Sequence, residues 1–147
     1  MARVSACVAV VTFVACSAAL ASSSTASSRR DQAATKMLWY LTVRSPLMKR
    51  ELAPAKVRRS RPAAGVLNVV RKDGRAWARM LCGPAANSRE MRAHGCSWNV
   101  TFVRRATYHG FALVKFYKSG GFDVETGLST CRPIGKSKTC KLFPPPR

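Results

Sequence analysis

The stretch that most constrains this chain is Cys96-Ser97-Trp98-Asn99-Val100-Thr101-Phe102-Val103. With a period of two, Cys96, Trp98, Val100 and Phe102 share one face, and Ser97, Asn99 and Thr101 share the other, as in a half-buried strand. Such a strand belongs to an antiparallel sheet with one side against a core and the other in water. Asn99-Val100-Thr101 is also an N-glycosylation sequon, and its asparagine lies on the face assigned to solvent.

A sugar site and cross-linked cysteines both imply the secretory route, and the N-terminus fits that implication. Arg3 precedes an uncharged apolar run from Ala6 to Leu20, and Ala19-Leu20-Ala21 is a small-x-small cleavage site. Residues 1–21 therefore read as a signal peptide in preference to a short buried helix. The run is too short for a bilayer span, and no later segment is long and apolar enough to supply one. Cleavage removes Cys7 and Cys16 and leaves Cys82, Cys96, Cys131 and Cys140. Four cysteines in an oxidising compartment imply two disulfides with three possible pairings. None has the spacing of a zinc site, and His94 and His109 do not complete one, so no metal or other cofactor is expected.

Charge limits the choice of partner. The chain carries 26 Lys+Arg against 6 Asp+Glu, a net +20, and the signal peptide contributes only Arg3 to it. A secreted protein this basic is drawn to glycosaminoglycans, anionic membranes, nucleic acid or an acidic protein. Between Arg44 and Pro62 the basic residues Arg44, Lys49, Arg50, Lys56, Arg58, Arg59 and Arg61 face a single acid, Glu51. Prolines at 46, 54 and 62 disfavour helix there, so the segment reads as extended and irregular. Val57-Arg58-Arg59-Ser60-Arg61-Pro62 has the local arrangement of a heparin-type cluster. Candidate polyanion contacts are Arg58, Arg59 and Arg61, flanked by Lys49, Arg50 and Lys56, with a solvated charged linker as the alternative.

Along the rest of the chain, Ser/Thr-rich 22–36 reads as disordered, and Met37 to Val43 as a first strand of aromatic and β-branched residues. Asp73-Gly74 between Val66–Val70 and Arg75–Leu81 predicts a hairpin, with Cys82 pinning the end of the returning strand. Gly83 to Gly95 reads as a polar loop with a helical turn near 88–92, and Arg104 to Gly110 as a turn. Phe111–Tyr117 and Phe122–Thr126 follow as strands, and 142–147 as a Pro-rich tail. The sum is a mainly β protein: a small disulfide-bonded antiparallel domain over 37–141, preceded by the signal peptide and including the basic segment 44–62.

Catalysis lacks a constellation. There is no Gly-x-Ser-x-Gly elbow, and paired cysteines leave no thiolate. His94 and His109 with a lysine would suit a secreted ribonuclease, and Cys96 to Phe102 faintly echoes the Cys-Lys-x-x-Asn-Thr-Phe signature of the pancreatic type. The lysine is missing and the asparagine displaced, so no catalytic residue carries over.

Trp39-Tyr40-Leu41, and Leu67-Asn68-Val69-Val70-Arg71-Lys72-Asp73-Gly74-Arg75 running on to Met80-Leu81-Cys82, resemble segments of the chemokine-like accessory glycoprotein subunit of the cytomegalovirus pentameric entry complex. The resemblance implies a secreted viral glycoprotein that assembles with envelope glycoproteins. It transfers no site residue, because the shared residues are structural. The resulting expectation is a secreted basic glycoprotein that binds a protein partner or receptor with polyanion attraction. A cationic membrane-active protein is the second expectation, weakened by the absence of an amphipathic basic helix.

Overall fold

The computed structural model describes residues 12–134, in which two helices precede six strands. Helix α1 (Thr12–Arg44) is followed by α2 (Pro46–Glu51), a 3-10 turn at Pro54–Lys56, and β1 (Val57–Ser60), β2 (Val66–Arg71), β3 (Ala76–Asn87), β4 (Met91–Phe102), β5 (Ala106–Tyr117) and β6 (Phe122–Pro133). The strands pair antiparallel in chain order, so each connection is a hairpin and β1 and β6 are the sheet edges. The protein is thus a small, mainly β domain, as the strand pattern predicts. Among the described residues no helix is long and apolar enough to cross a membrane.

Ala33, Ala34, Met37, Leu38 and Leu41 recur at helical spacing, and all five are buried against the sheet. Two alanines in this stripe let the helix approach closely. The structure corrects two expectations here: 22–36 is helical rather than disordered, and Met37–Val43 continues the same helix instead of forming a first strand. The β propensity of Trp39, Tyr40 and Val43 yields to burial of the Met37–Leu41 stripe. Helix α1 stops at Ser45 because the residue before a proline disfavours helical backbone. Ser45 is extended (φ −119°, ψ 111°), its N–H bonds Leu41 O at 3.0 Å, and its Oγ accepts from Met48 N at 3.3 Å. One buried serine therefore closes α1 and caps α2.

The basic segment 44–62 is also more regular than expected. Pro46 opens α2 and Pro54 opens the 3-10 turn, positions where a missing N–H loses nothing. The prolines start elements instead of breaking one. The Asp73-Gly74 hairpin forms as predicted, with Val66 opposite Leu81 and Val70 opposite Trp77. Gly74 adopts φ 71°, and Asp73 Oδ1 accepts from Arg75 N at 3.0 Å.

Gly83–Gly95, expected as a loop with a helical turn, is instead a continuation of β3 and the start of β4. Only Ser88-Arg89-Glu90 turns, and a register shift between Pro84 and Ala86 absorbs the proline as a bulge. The turn expected over 104–110 narrows to Val103–Arg105, and β6 runs past Thr126 to Pro133.

The inner face of the sheet carries the core: Leu67, Val69, Ala78, Met80, Trp98, Val100 and Val114 meet Met37, Leu41, Met48 and Leu52. Cys82 and Cys96 are cross-strand partners on this face, with Cα atoms 4.1 Å apart, and form a disulfide. The bond staples mid-strand positions of β3 and β4, not the end of β3. Cys131 is also disulfide-bonded. Cys140 and the tail 142–147 lie outside the described residues. Gly65 ties helix to sheet: its N–H meets Asp31 Oδ1 and its carbonyl accepts from Cys82 N, both at 2.8 Å. At φ 78°, with Cys82 O only 2.2 Å from where a Cβ would stand, the position requires glycine.

Candidate functional site

Three surfaces present chemistry to solvent. The first is the β1 edge, where the predicted polyanion contacts lie. Lys49, Arg50, Lys56, Arg58, Arg59 and Arg61 are all exposed. Adjacent residues of a strand project to opposite faces. Arg58, opposite Val70, therefore belongs to the outer face, while Arg59, opposite Val69, belongs to the inner side of the edge. Arg61 turns to α1 and bonds Thr35 Oγ1 at 2.8 Å. Arg50 pairs with Glu51 at 3.1 Å, and Lys56 Nζ donates to Arg50 O at 3.4 Å. The cluster is contiguous in sequence but fans out in space. A short arginine-bearing edge strand also resists pairing with another sheet, which gives these side chains a structural use.

The second surface is the outer face of the sheet, which no other described element covers. Register aligns Ser60, Asn68, Arg79, Asn99, His109 and Thr130 in one polar row across all six strands. The neighbouring row runs Arg58, Val70, Trp77, Thr101, Thr107 and Arg132, so an arginine ends it at each edge. Trp77, Leu81 and Phe111 stay exposed beside the polar row, Phe111 at 68%. Arg79, Leu81, Asn99, His109, Phe111 and Thr130 line a shallow groove of about 460 Å3. The sequon asparagine sits at its centre, half-buried, with Oδ1 buried and lacking a hydrogen-bond partner.

The histidines do not come together. Since His94 shares the inner face with Cys96 and Trp98, it is buried, and its ring meets Phe116 edge-on at 5.8 Å. Burial, and then the positive charges of Arg30, Arg29 and Arg92, lower its pKa. His109 stands on the outer face, so no acid–base pair forms between them. Among the described residues no group of three or more His, Cys, Asp or Glu is placed to hold a metal ion.

The third surface was not anticipated from sequence. In an up-and-down sheet alternate turns share an end, and here the Asp73-Gly74 turn meets the Val103–Arg105 turn, with Val103 N on Arg75 O at 2.9 Å. Glu51 arrives from α2. Together Glu51, Arg71, Asp73, Arg75, Arg104 and Arg105 line a cleft of about 610 Å3. Nearly buried Glu51 accepts from Arg50 and Arg71 and lies 3.6 Å from Arg105, and Arg71 also holds Asp73 at 2.9 Å. The available signal was the placement of arginines in two turns separated by two strands. The chain matches no protein-family model, no curated protein and no solved structure.

Proposed function

We propose that this chain is a secreted, N-glycosylated binding protein that attaches to a polyanion, a glycosaminoglycan chain foremost, and presents a protein partner or receptor with the same basic surface. The observation that carries this reading is the unneutralised charge. Ion pairs among the described residues engage Arg50, Arg71, Arg75, Arg105 and Lys115, and leave the other exposed cations there without a carboxylate partner. Such a surface raises association rates with anionic partners and weakens as salt rises.

Two features support binding over the alternatives. The apolar stripe from Ala33 to Leu41 of α1 packs on the sheet, so these residues offer no free apolar face to a membrane. His94 and His109 occupy opposite faces of the sheet, which removes the pairing a ribonuclease needs. The resemblance to the cytomegalovirus subunit extends the proposal to an envelope-associated subunit whose partners are envelope glycoproteins.

The test is a pull-down of the tagged secreted chain from expressing cells, washed at low and at high salt. A stoichiometric protein that survives high salt supports the subunit form of the proposal. If every protein elutes with salt, the subunit form fails, and polyanion binding alone remains. Failure to retain on immobilised heparin at physiological salt removes polyanion binding too.

A further inference from the structure

The cleft at the meeting of the two turns differs from the diffuse basic edge in being organised. Its lining carries four arginines, Arg71, Arg75, Arg104 and Arg105, against two acids, Glu51 and Asp73. The acids are engaged from within. Glu51 Oε2 accepts from Arg71, Glu51 Oε1 faces Arg105 at 3.6 Å, and Asp73 Oδ2 holds Arg71 at 2.9 Å and faces Arg75 at 4.0 Å. A guanidinium carries five N–H donors in a fixed fork, so one partly used by a carboxylate still has donors to offer. The carboxylates thus hold the forks in place and leave an excess of positive charge facing the opening.

Arg104 is the exception among the four. It is exposed and, among the described residues, has no ion pair or side-chain hydrogen bond, yet its backbone sits at φ 64° in the left-handed region. Glycine occupies that region without strain and asparagine with little, whereas arginine pays for it in turn stability. No contact within the described fold offsets that strain. Strained residues of this kind cluster where a ligand is held.

We propose that this cleft is a binding site for a compact cluster of oxyanions, sulfate or phosphate groups carried close together on one ligand, with Arg104 as the side chain that meets it first. The site rests on the polyanion reading above and narrows it from general attraction to one place. Arg71, held by Glu51 and Asp73, supplies a preorganised floor with Arg105 beside it, and Arg104 closes over the bound group. Preorganisation lowers the ordering cost that flexible surface lysines would incur.

The experiment is calorimetric titration of the full secreted chain at 0.15 M salt, with a heparin-derived hexasaccharide as the sulfate probe and inositol hexakisphosphate as the phosphate probe. Two variants are compared, Arg104→Gly and Arg89→Ser, each removing one exposed charge, Arg89 lying in the β3–β4 turn at the other end of the sheet. Arg104→Gly should weaken binding of at least one probe about tenfold, the scale of one charge-assisted hydrogen bond. It should also raise Tm, because the turn is relieved. Arg89→Ser should change affinity less than about twofold, as one charge in a screened surface. The probe whose affinity falls identifies the oxyanion. Equal losses in the two variants overturn the cleft and leave general polyanion attraction standing. A lowered Tm for Arg104→Gly overturns it as well, by making Arg104 a structural residue. Failure of both probes to bind the unmodified chain overturns the cleft together with the polyanion reading.

Discussion

Trp98 and Gly110 are cross-strand partners, and the indole lies over the glycine so closely that a Cβ at 110 would stand 2.7 Å from Cζ2 and 2.9 Å from Cε2. Trp98 is buried, so neither partner can swing into solvent. Gly110→Ala therefore overpacks the middle of the sheet, at a cost of about 1–3 kcal/mol. For a domain of this size that lowers Tm by roughly 3–5 °C per kcal/mol. Urea unfolding followed by far-UV circular dichroism measures the change through the shift in midpoint at constant slope. Trp98→Phe removes the obstructing ring, so in that background the added methyl should cost under about 0.5 kcal/mol, or even stabilise by restricting the unfolded chain. The coupling energy of the cycle should reach at least about 1 kcal/mol. If Gly110→Ala is neutral in the native chain, or costs the same in both backgrounds, the packing of this pair is not as described. The result matters beyond the core. Trp98 and Gly110 adjoin Asn99 and His109 in the same registered strands, so their fit fixes the outer row that carries the sequon.

Replacing Cys82 and Cys96 together by alanine opens a loop between residues 14 apart in sequence and should destabilise by about 3 kcal/mol on the chain-entropy account; a midpoint unchanged in urea would contradict it. His94 has a folded-state pKa below its unfolded value, so the unfolded chain binds the extra proton first. Stability should therefore fall as pH drops through the unfolded value and level off below the folded one, and His94→Phe should flatten that part of the profile. Asn99→Gln should increase electrophoretic mobility by one glycan. A glycan on Asn99 would stand over exposed Trp77, Leu81 and Phe111, so its loss should also raise binding of an apolar dye; an unchanged mobility would show the sequon to be unused.

Strand β4 was legible because its alternation is strict and its two faces differ sharply, and the Asp73-Gly74 turn because few other dipeptides suit a tight hairpin. Helix α1 was not, because two of the five residues of its buried stripe are alanines, and Ala33 and Ala34 read as low-complexity sequence until a sheet is placed against them. The extended β3 and β4 were hidden by Gly83, Pro84 and Gly95, residues that mark loops in isolation but are tolerated beside a bulge. Contiguity in sequence drew attention to Arg58, Arg59 and Arg61, which strand geometry then separates. The arginines that do converge, Arg71, Arg75, Arg104 and Arg105, come from two turns, and only the order of strands brings them together.

The most direct test of the central claim is the affinity of the purified full chain for a heparin-derived oligosaccharide across a salt series. The account predicts binding at 0.15 M salt that weakens steeply as salt rises, the mark of many screened charge contacts. Absence of binding at physiological salt, or an affinity indifferent to salt, would contradict it.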